Sequence, residues 1–272
     1  MRRCSACRQV PFCEAFEHIV RNRSAPASKF ASDVIPESVL CKILELTQLS
    51  PSSFNLQPYK MIVVRSREAR DALSSAMLGS GNIAKVREAP LTVVFAADKE
   101  PGQLTRKLMK LELEHGTDPS YVSTLPSKIS FLLGKGFLSN AFRATATHLM
   151  SPISPSPTIA ANCDAWAAKN ASLAAQTYML GASAFGLSTA PMEGFDERRI
   201  FYLLGIPQER YSVPLVVATG YALTLTRPPP SSSSSDTNPN NTSSSYCALP
   251  ASLLVLPACY HPQYSLVPHH QH

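Results

Sequence analysis

The chain has 272 residues, of which 44% are hydrophobic and 16% charged, and its formal net charge is +6. That length and apolar content support one large domain with appendages and exclude a small disulfide-stapled scaffold. The basic residues are scattered and do not interleave with aromatic ones, which argues against a nucleic-acid interface, and no apolar run reaches the length of a membrane span.

Seven cysteines at irregular spacing (Cys4, Cys7, Cys13, Cys41, Cys163, Cys247 and Cys259) suit a reducing, cytoplasmic setting. The early Arg2, Arg3 and Arg8 leave organelle targeting open. Cys4 and Cys7 form one C-x-x-C, with Cys13 beyond. Without a second pair or spaced histidines this is a weak zinc signal, and no metal site is expected. Residues 1–15 are expected to be disordered. A main domain is expected over 16–225, with 101–157 as a variable insertion or lid.

The first periodic segment runs from Pro36 to Leu49, where Val39, Leu40, Ile43 and Leu44 recur at helical spacing. A Ser/Pro/Asn-rich loop from Ser50 to Pro58 follows, then a short β-branched run, Met61 to Val64, that predicts a buried strand. Ser66 is placed to cap a helix through Leu78, with Ala69, Leu73, Ala76 and Met77 inward. Leu91 to Ala97 reads as a second buried strand.

The stretch from Pro101 to Pro157 carries helical patches over Leu104–Leu113 and Ile129–Leu138 and ends in a proline-rich run. Trp166 to Phe185 is a long helix crowded with small residues, so it should be central, and Gly186 suits its end. Asp196 is a candidate cap for a helix ending near Gly205, and Val213 to Thr219 predicts a third strand. From 226 to 272 the composition turns low-complexity and polar, ending in several histidines, and disorder is expected. Three strands between long helical stretches indicate an α+β domain, a small mixed or antiparallel sheet flanked by helices.

Four short segments carry ligand-type chemistry. Arg21-Asn22-Arg23-Ser24 offers two guanidinium groups and a hydroxyl suited to a phosphate. Pro51-Ser52-Ser53-Phe54-Asn55-Leu56-Gln57-Pro58-Tyr59 offers hydrogen-bonding side chains on a proline-stiffened loop, although an ordinary turn would look similar. Gly81-Asn82-Ile83-Ala84-Lys85 presents a carboxamide and a movable cation, and would equally read as the Gly-Asn end of a helix. Ser188 to Phe195, containing Pro191-Met192-Glu193-Gly194, reads as a loop able to aim a backbone N–H at a reacting atom.

Taken in order, these segments resemble the nitroreductase family of flavoproteins over roughly Arg21 to Tyr221. The most specific pieces are Pro-Ser-Ser-Phe-Asn-Leu-Gln-Pro-Tyr at 51–59 and Pro-Met-Glu-Gly-Phe-Asp at 191–196. The resemblance implies a nitroreductase-like fold with its Ala-rich helix at a homodimer interface. It implies FMN as cofactor and NADPH or NADH as electron donor, reducing nitroaromatics, quinones or similar electron-poor molecules in a ping-pong scheme. Arg21, Arg23 and Ser24 would grip the flavin phosphate, ribityl chain and pyrimidine edge. Pro51, Ser52, Ser53 and Asn55 would line the flavin across the subunit boundary, and Asn82 with Lys85 would meet its polar edge. Pro191, Met192, Glu193 and Gly194 would lie against the isoalloxazine, with a backbone N–H near N5, and no side chain need act as nucleophile.

The chain departs from the family pattern in two places. Asn22 stands where the first of two adjacent basic residues is usual, leaving Arg21 as the substitute. Only Arg227 is available as the basic residue near the C-terminus that would reach the phosphate. A flavin-binding storage or sensor protein without turnover is the alternative these departures suggest, and a basic interaction protein without flavin is a further one.

Overall fold

The computed structural model describes residues 11–26, 29–133, 163–223 and 253–257, with positions 145, 149, 152 and 153. In chain order these form α1 (Pro11–Asn22), α2 (Glu37–Gln48), β1 (Tyr59–Val64), α3 (Arg67–Ser74), α4 (Ser80–Glu88) and β2 (Leu91–Asp98). Then come α5 (Thr105–Glu114), α6 (Pro119–Leu133), α7 (Cys163–Ala184), β3 (Ser188–Met192), α8 (Glu197–Leu204), β4 (Tyr211–Gly220) and β5 (Leu253–Pro257).

The sheet has the order β3-β4-β2-β1-β5, and its neighbouring strands pair antiparallel. The central strand β2 is buried along its whole length, which explains its apolar run from Val93 to Ala97. Residues two apart share a face of a strand. Met61, Val63, Val93 and Phe95 therefore meet α2, α5, α6 and α7 on one side. Ile62, Val64, Val94 and Ala96 meet α3, α4 and α8 on the other. The result is a sheet between two helical layers.

Helix α7 packs closely because its sheet-facing side is small. Ala167, Ala171, Ala174, Ala175 and Ala182 are buried, and a methyl added at Gly181 would stand 3.6 Å from Ile43. Tyr178 is the large exception. Its ring meets Phe95 edge-on at 5.9 Å between centroids, and its hydroxyl donates to Thr219 Oγ1 at 2.9 Å, so the buried phenol is satisfied.

The caps follow the side-chain chemistry. Ser66 Oγ accepts the Ala69 N–H at the start of α3, and Asp196 accepts the Arg199 N–H at the start of α8. Gly205 ends α8 at φ 63°, a left-handed conformation that glycine adopts without Cβ strain.

Several expectations are corrected. Helix α1 begins at Pro11, inside the stretch expected to be disordered. Helix α3 stops at Ser74, short of Leu78. Residues 101–133 form no mere excursion, because Leu108, Val122, Leu125 and Ile129 enter the main core. Leu253–Pro257, in the tail expected to be disordered, pairs with β1. Among the described residues the sheet thus has five strands, not three. Cys41 is disulfide-bonded, a departure from the reduced thiols expected. Cys4, Cys7, the terminal histidines and Arg227 lie outside the described residues.

Candidate functional site

Three of the four segments converge on the edge strand β3. The fourth expected loop, 188–195, is in its first part this strand, paired with β4 from Ser188↔Gly220 to Met192↔Val216. Pro191 is tolerated because an edge strand has a side that needs no N–H. Short length and an internal proline made it read as a loop.

At one end of β3, the Ser24 carbonyl accepts the Thr189 N–H at 3.1 Å, which fixes the Arg21–Ser24 segment beside the strand. Helix α1 is anchored nearby, where Ser183 Oγ donates to the Ile19 carbonyl at 2.8 Å. Arg21 itself is exposed and paired back along its helix with Glu17 at 2.7 Å. Asn22 meets His18 at 2.8 Å. Arg23 makes no ion pair among the described residues.

Beyond the other end of β3, the Gly194 carbonyl accepts the Leu78 N–H at 2.8 Å and the Asn82 carboxamide at 3.4 Å. The Asp196 N–H donates to the Ala76 carbonyl at 2.7 Å. Asn82 lies in the first turn of α4 and Lys85 in its last turn, so the Gly-Asn pair opens a helix instead of ending one. Gly79 precedes it at φ 79°, a conformation that favours glycine. A methyl at Gly194 would stand 3.0 Å from Asn82 Nδ2, so the backbone there passes close to the carboxamide. From Thr189 to Gly194 the chain spans at most about 17 Å. That length suits a ligand with a phosphate at one end and a polar ring at the other.

The remaining segment lies elsewhere. Ser53–Asn55 is a 3-10 turn with positive φ at Phe54 and Asn55, followed by Gln57. Ser52 Oγ accepts the Gln57 N–H at 2.8 Å, and Asn170 Oδ1 on α7 accepts the Ser53 N–H at 2.9 Å. The rise of 1.5 Å per residue puts Asn170 about 20 Å along the axis from Ser183, which anchors the Ser24 end. Pro51, Ser52, Ser53 and Asn55 are thus held at one end of α7 and Ser24 at the other.

The donor set fits a flavin mononucleotide. Arg23 and Ser24 would supply a phosphate-type grip and Asn82 with Lys85 a heterocycle edge. The buried Asn55 Nδ2 and Thr189 Oγ1 have no hydrogen-bond partner among the described residues, so both have capacity to spare. Sequence reasoning missed Asn170 and Thr189. The one available signal was Asn170, a buried polar residue in an alanine-rich helix.

A protein from Thermus thermophilus named NADH dehydrogenase is 28% identical over 212 residues, covering 78% of this chain and 88% of that one. The oxygen-insensitive NAD(P)H nitroreductase of Salmonella typhimurium is 29% identical over 182 residues, covering 66% of this chain and 76% of its own. The fold matches a protein from Exiguobacterium sibiricum solved in complex with FMN, at TM-score 0.58 and 21% identity, covering 80% of this chain and 93% of that one. The family model described as Nitroreductase family matches residues 20–221, and the chain belongs to that family.

Proposed function

We propose that this protein is an FMN-dependent oxidoreductase that uses NAD(P)H to reduce nitroaromatics, quinones or similar small electron-poor acceptors, working as a homodimer. The observation that carries this reading is the edge strand β3, which ties Ser24 to Thr189 at one end and leads to Gly194 and Asn82 beyond the other. The relatives named NADH dehydrogenase and NAD(P)H nitroreductase supply the donor class.

FMN, when bound, supplies a centre that takes a hydride from the nicotinamide and later passes it to the acceptor. The chain's own residues bind and orient. Arg23 and Ser24 hold the phosphate end, with Arg227 as a further candidate. Arg21, engaged by Glu17, must release that partner to join them. Asn82 donates and accepts at the ring's polar edge, and Lys85 adds positive charge beside it. Pro191, Met192, Glu193 and Gly194 would lie against the ring, and their backbone would orient it. No side chain here needs to move a proton to a carbon centre.

The placement of Pro51–Asn55 supports the homodimer. That loop sits about 20 Å along α7 from the Ser24 end, so it completes the site only from a second copy. Phe12, Phe16 and Val20 are exposed one turn apart on α1. They share a helical face that a second copy would cover.

Steady-state kinetics with NADPH and a quinone test the alternation of donor and acceptor at one site. Parallel double-reciprocal lines are expected. Intersecting lines would show that both substrates must be bound together.

A further inference from the structure

Helix α4 carries Asn82 and Lys85, yet little apolar packing holds it in place. Val86 is its one buried residue, and Ile83 is only partly buried against the neighbouring core. The front of the helix is loosely tied. The Leu78 N–H is fixed to the Gly194 carbonyl at 2.8 Å, but Gly79, Ser80 and Gly81 separate that point from Asn82. A Cβ at either glycine would meet nothing within 4 Å, and glycine leaves the backbone its widest freedom. Asn82 itself reaches Gly194 through one long contact of 3.4 Å.

The other end of α4 is gripped by one side chain. Arg70, on α3, donates from Nη1 to the Arg87 carbonyl at 2.6 Å and also to the Ala89 carbonyl. Its Nε donates to the carbonyl of Arg65, which follows β1, at 3.2 Å. A single guanidinium thus joins the end of β1, the end of α4 and the lead into β2. The last carbonyls of a helix have no partner within it, and a cation there meets the negative pole of the helix dipole. Arg70 makes no ion pair among the described residues, so no carboxylate draws it away from these carbonyls.

The remaining ties are weaker. Arg87 Nε donates to Ser74 Oγ at 3.0 Å and stands 3.7 Å from Asp71. Lys29 stands 3.7 Å from Glu88. Exposed ion pairs of this kind contribute little.

We propose that Arg70 is a positioning residue for the flavin site: by holding Arg87 and Ala89 it sets where α4 presents Asn82 and Lys85. Helical rise puts Asn82 about 8 Å from Arg87 along the axis, so tilting the helix at its gripped end displaces the carboxamide. Arg70 acts through α4 and not on the flavin. The proposal rests on the assignment of Asn82 to the flavin ring.

The test is a double-mutant cycle on FMN affinity, read by flavin fluorescence titration of the full-length protein. Arg70→Met and Asn82→Ala are each expected to weaken FMN about tenfold. Because Arg70 works through Asn82, the double variant should also lose about tenfold and not about a hundredfold. Combined with Arg23→Ala, at the phosphate end, the Arg70→Met loss should multiply in full. Arg70→Lys keeps the charge without the fork and should lose less than Arg70→Met. If Arg70→Met does not fold, Arg70→Lys takes its place in the cycle. Amide hydrogen exchange gives a readout without flavin: residues 80–88 should exchange faster in the Arg70 variant, with α2 unchanged. Full multiplication of the Arg70 and Asn82 losses, native affinity in the Arg70 variant, or unchanged exchange over 80–88 would overturn the proposal. Native affinity in Asn82→Ala would instead remove α4 from the flavin, and the proposal with it.

Discussion

Asn170 on α7 holds Ser53 from 117 residues away, its side-chain oxygen accepting the Ser53 N–H at 2.9 Å. Its amide donates to the Trp166 carbonyl one turn back at 2.7 Å, which fixes the orientation of the carboxamide. The loop it restrains is strained, with Phe54, Asn55 and Gln57 at φ 56°, 53° and 46°. Such conformations cost about 1–3 kcal/mol each and persist only where neighbours enforce them. Asn170→Ala should therefore loosen Pro51–Asn55 and weaken FMN affinity about tenfold, measured by flavin fluorescence titration. Unchanged affinity would remove this loop from the flavin site.

The contact between Gly194 and Asn82 gives a second variant. A methyl at Gly194 would press on Asn82 Nδ2 at 3.0 Å and disturb its bond to the Gly194 carbonyl. Because the pressed atom ends a side chain, the fold should survive with a loss under about 1 kcal/mol. FMN affinity should fall several-fold in Gly194→Ala and further in Gly194→Val. Loss of folding without a change in flavin affinity would make Gly194 a structural residue only.

Gly220 should behave in the opposite way. A Cβ there would overlap Pro90 Cδ and lie 2.9 Å from Phe30 Cδ1, against a rigid ring in a packed interior. Gly220→Ala should destabilise by about 1–3 kcal/mol through overpacking, read as a lower chemical-denaturation midpoint. A midpoint equal to the native one would contradict the close packing of β4 against Pro90.

Alkaline stability should report the buried tyrosines. Burial raises the Tyr178 phenol's pKa, although its hydrogen bond to Thr219 pulls the other way, and burial does the same to Tyr59. Unfolded tyrosine ionises near pH 10. Below that value both states hold the proton and stability is unaffected. Above it the unfolded chain loses protons that the folded one keeps, so stability falls by about 1.4 kcal/mol per pH unit for each such tyrosine. Tyr178→Phe should flatten that fall while costing about 1 kcal/mol at neutral pH by stranding Thr219. Denaturation midpoints across this range, with and without the substitution, provide the check.

Much of the fold was legible in local pattern. Helices α2 and α7 carry apolar or small residues at helical spacing, and β2 carries an apolar run from Val93 to Ala97. Ser66 and Asp196 announced their caps. Strand β3 was not legible because Pro191 looks like a breaker unless the strand is known to be an edge. Helix α4 buries only Val86, so it has almost no apolar periodicity to detect. Pro126 sits inside α6 and masked that helix. The residue types of the site were visible in its motifs, but their arrangement was not. Nothing local to Ser24 or Ser53 says that α7 holds them far apart, and Asn170 belongs to no motif.

The central claim, a working flavin site, is tested most directly by the visible spectrum of the purified protein supplied with FMN, taken before and after NADPH or NADH under anaerobic conditions. The expected result is stoichiometric bound flavin that bleaches with at least one of the two nicotinamides. A protein that remains colourless and refuses FMN would contradict the flavin site itself. Bound flavin that stays oxidised with both donors would contradict turnover and favour a storage or sensor role.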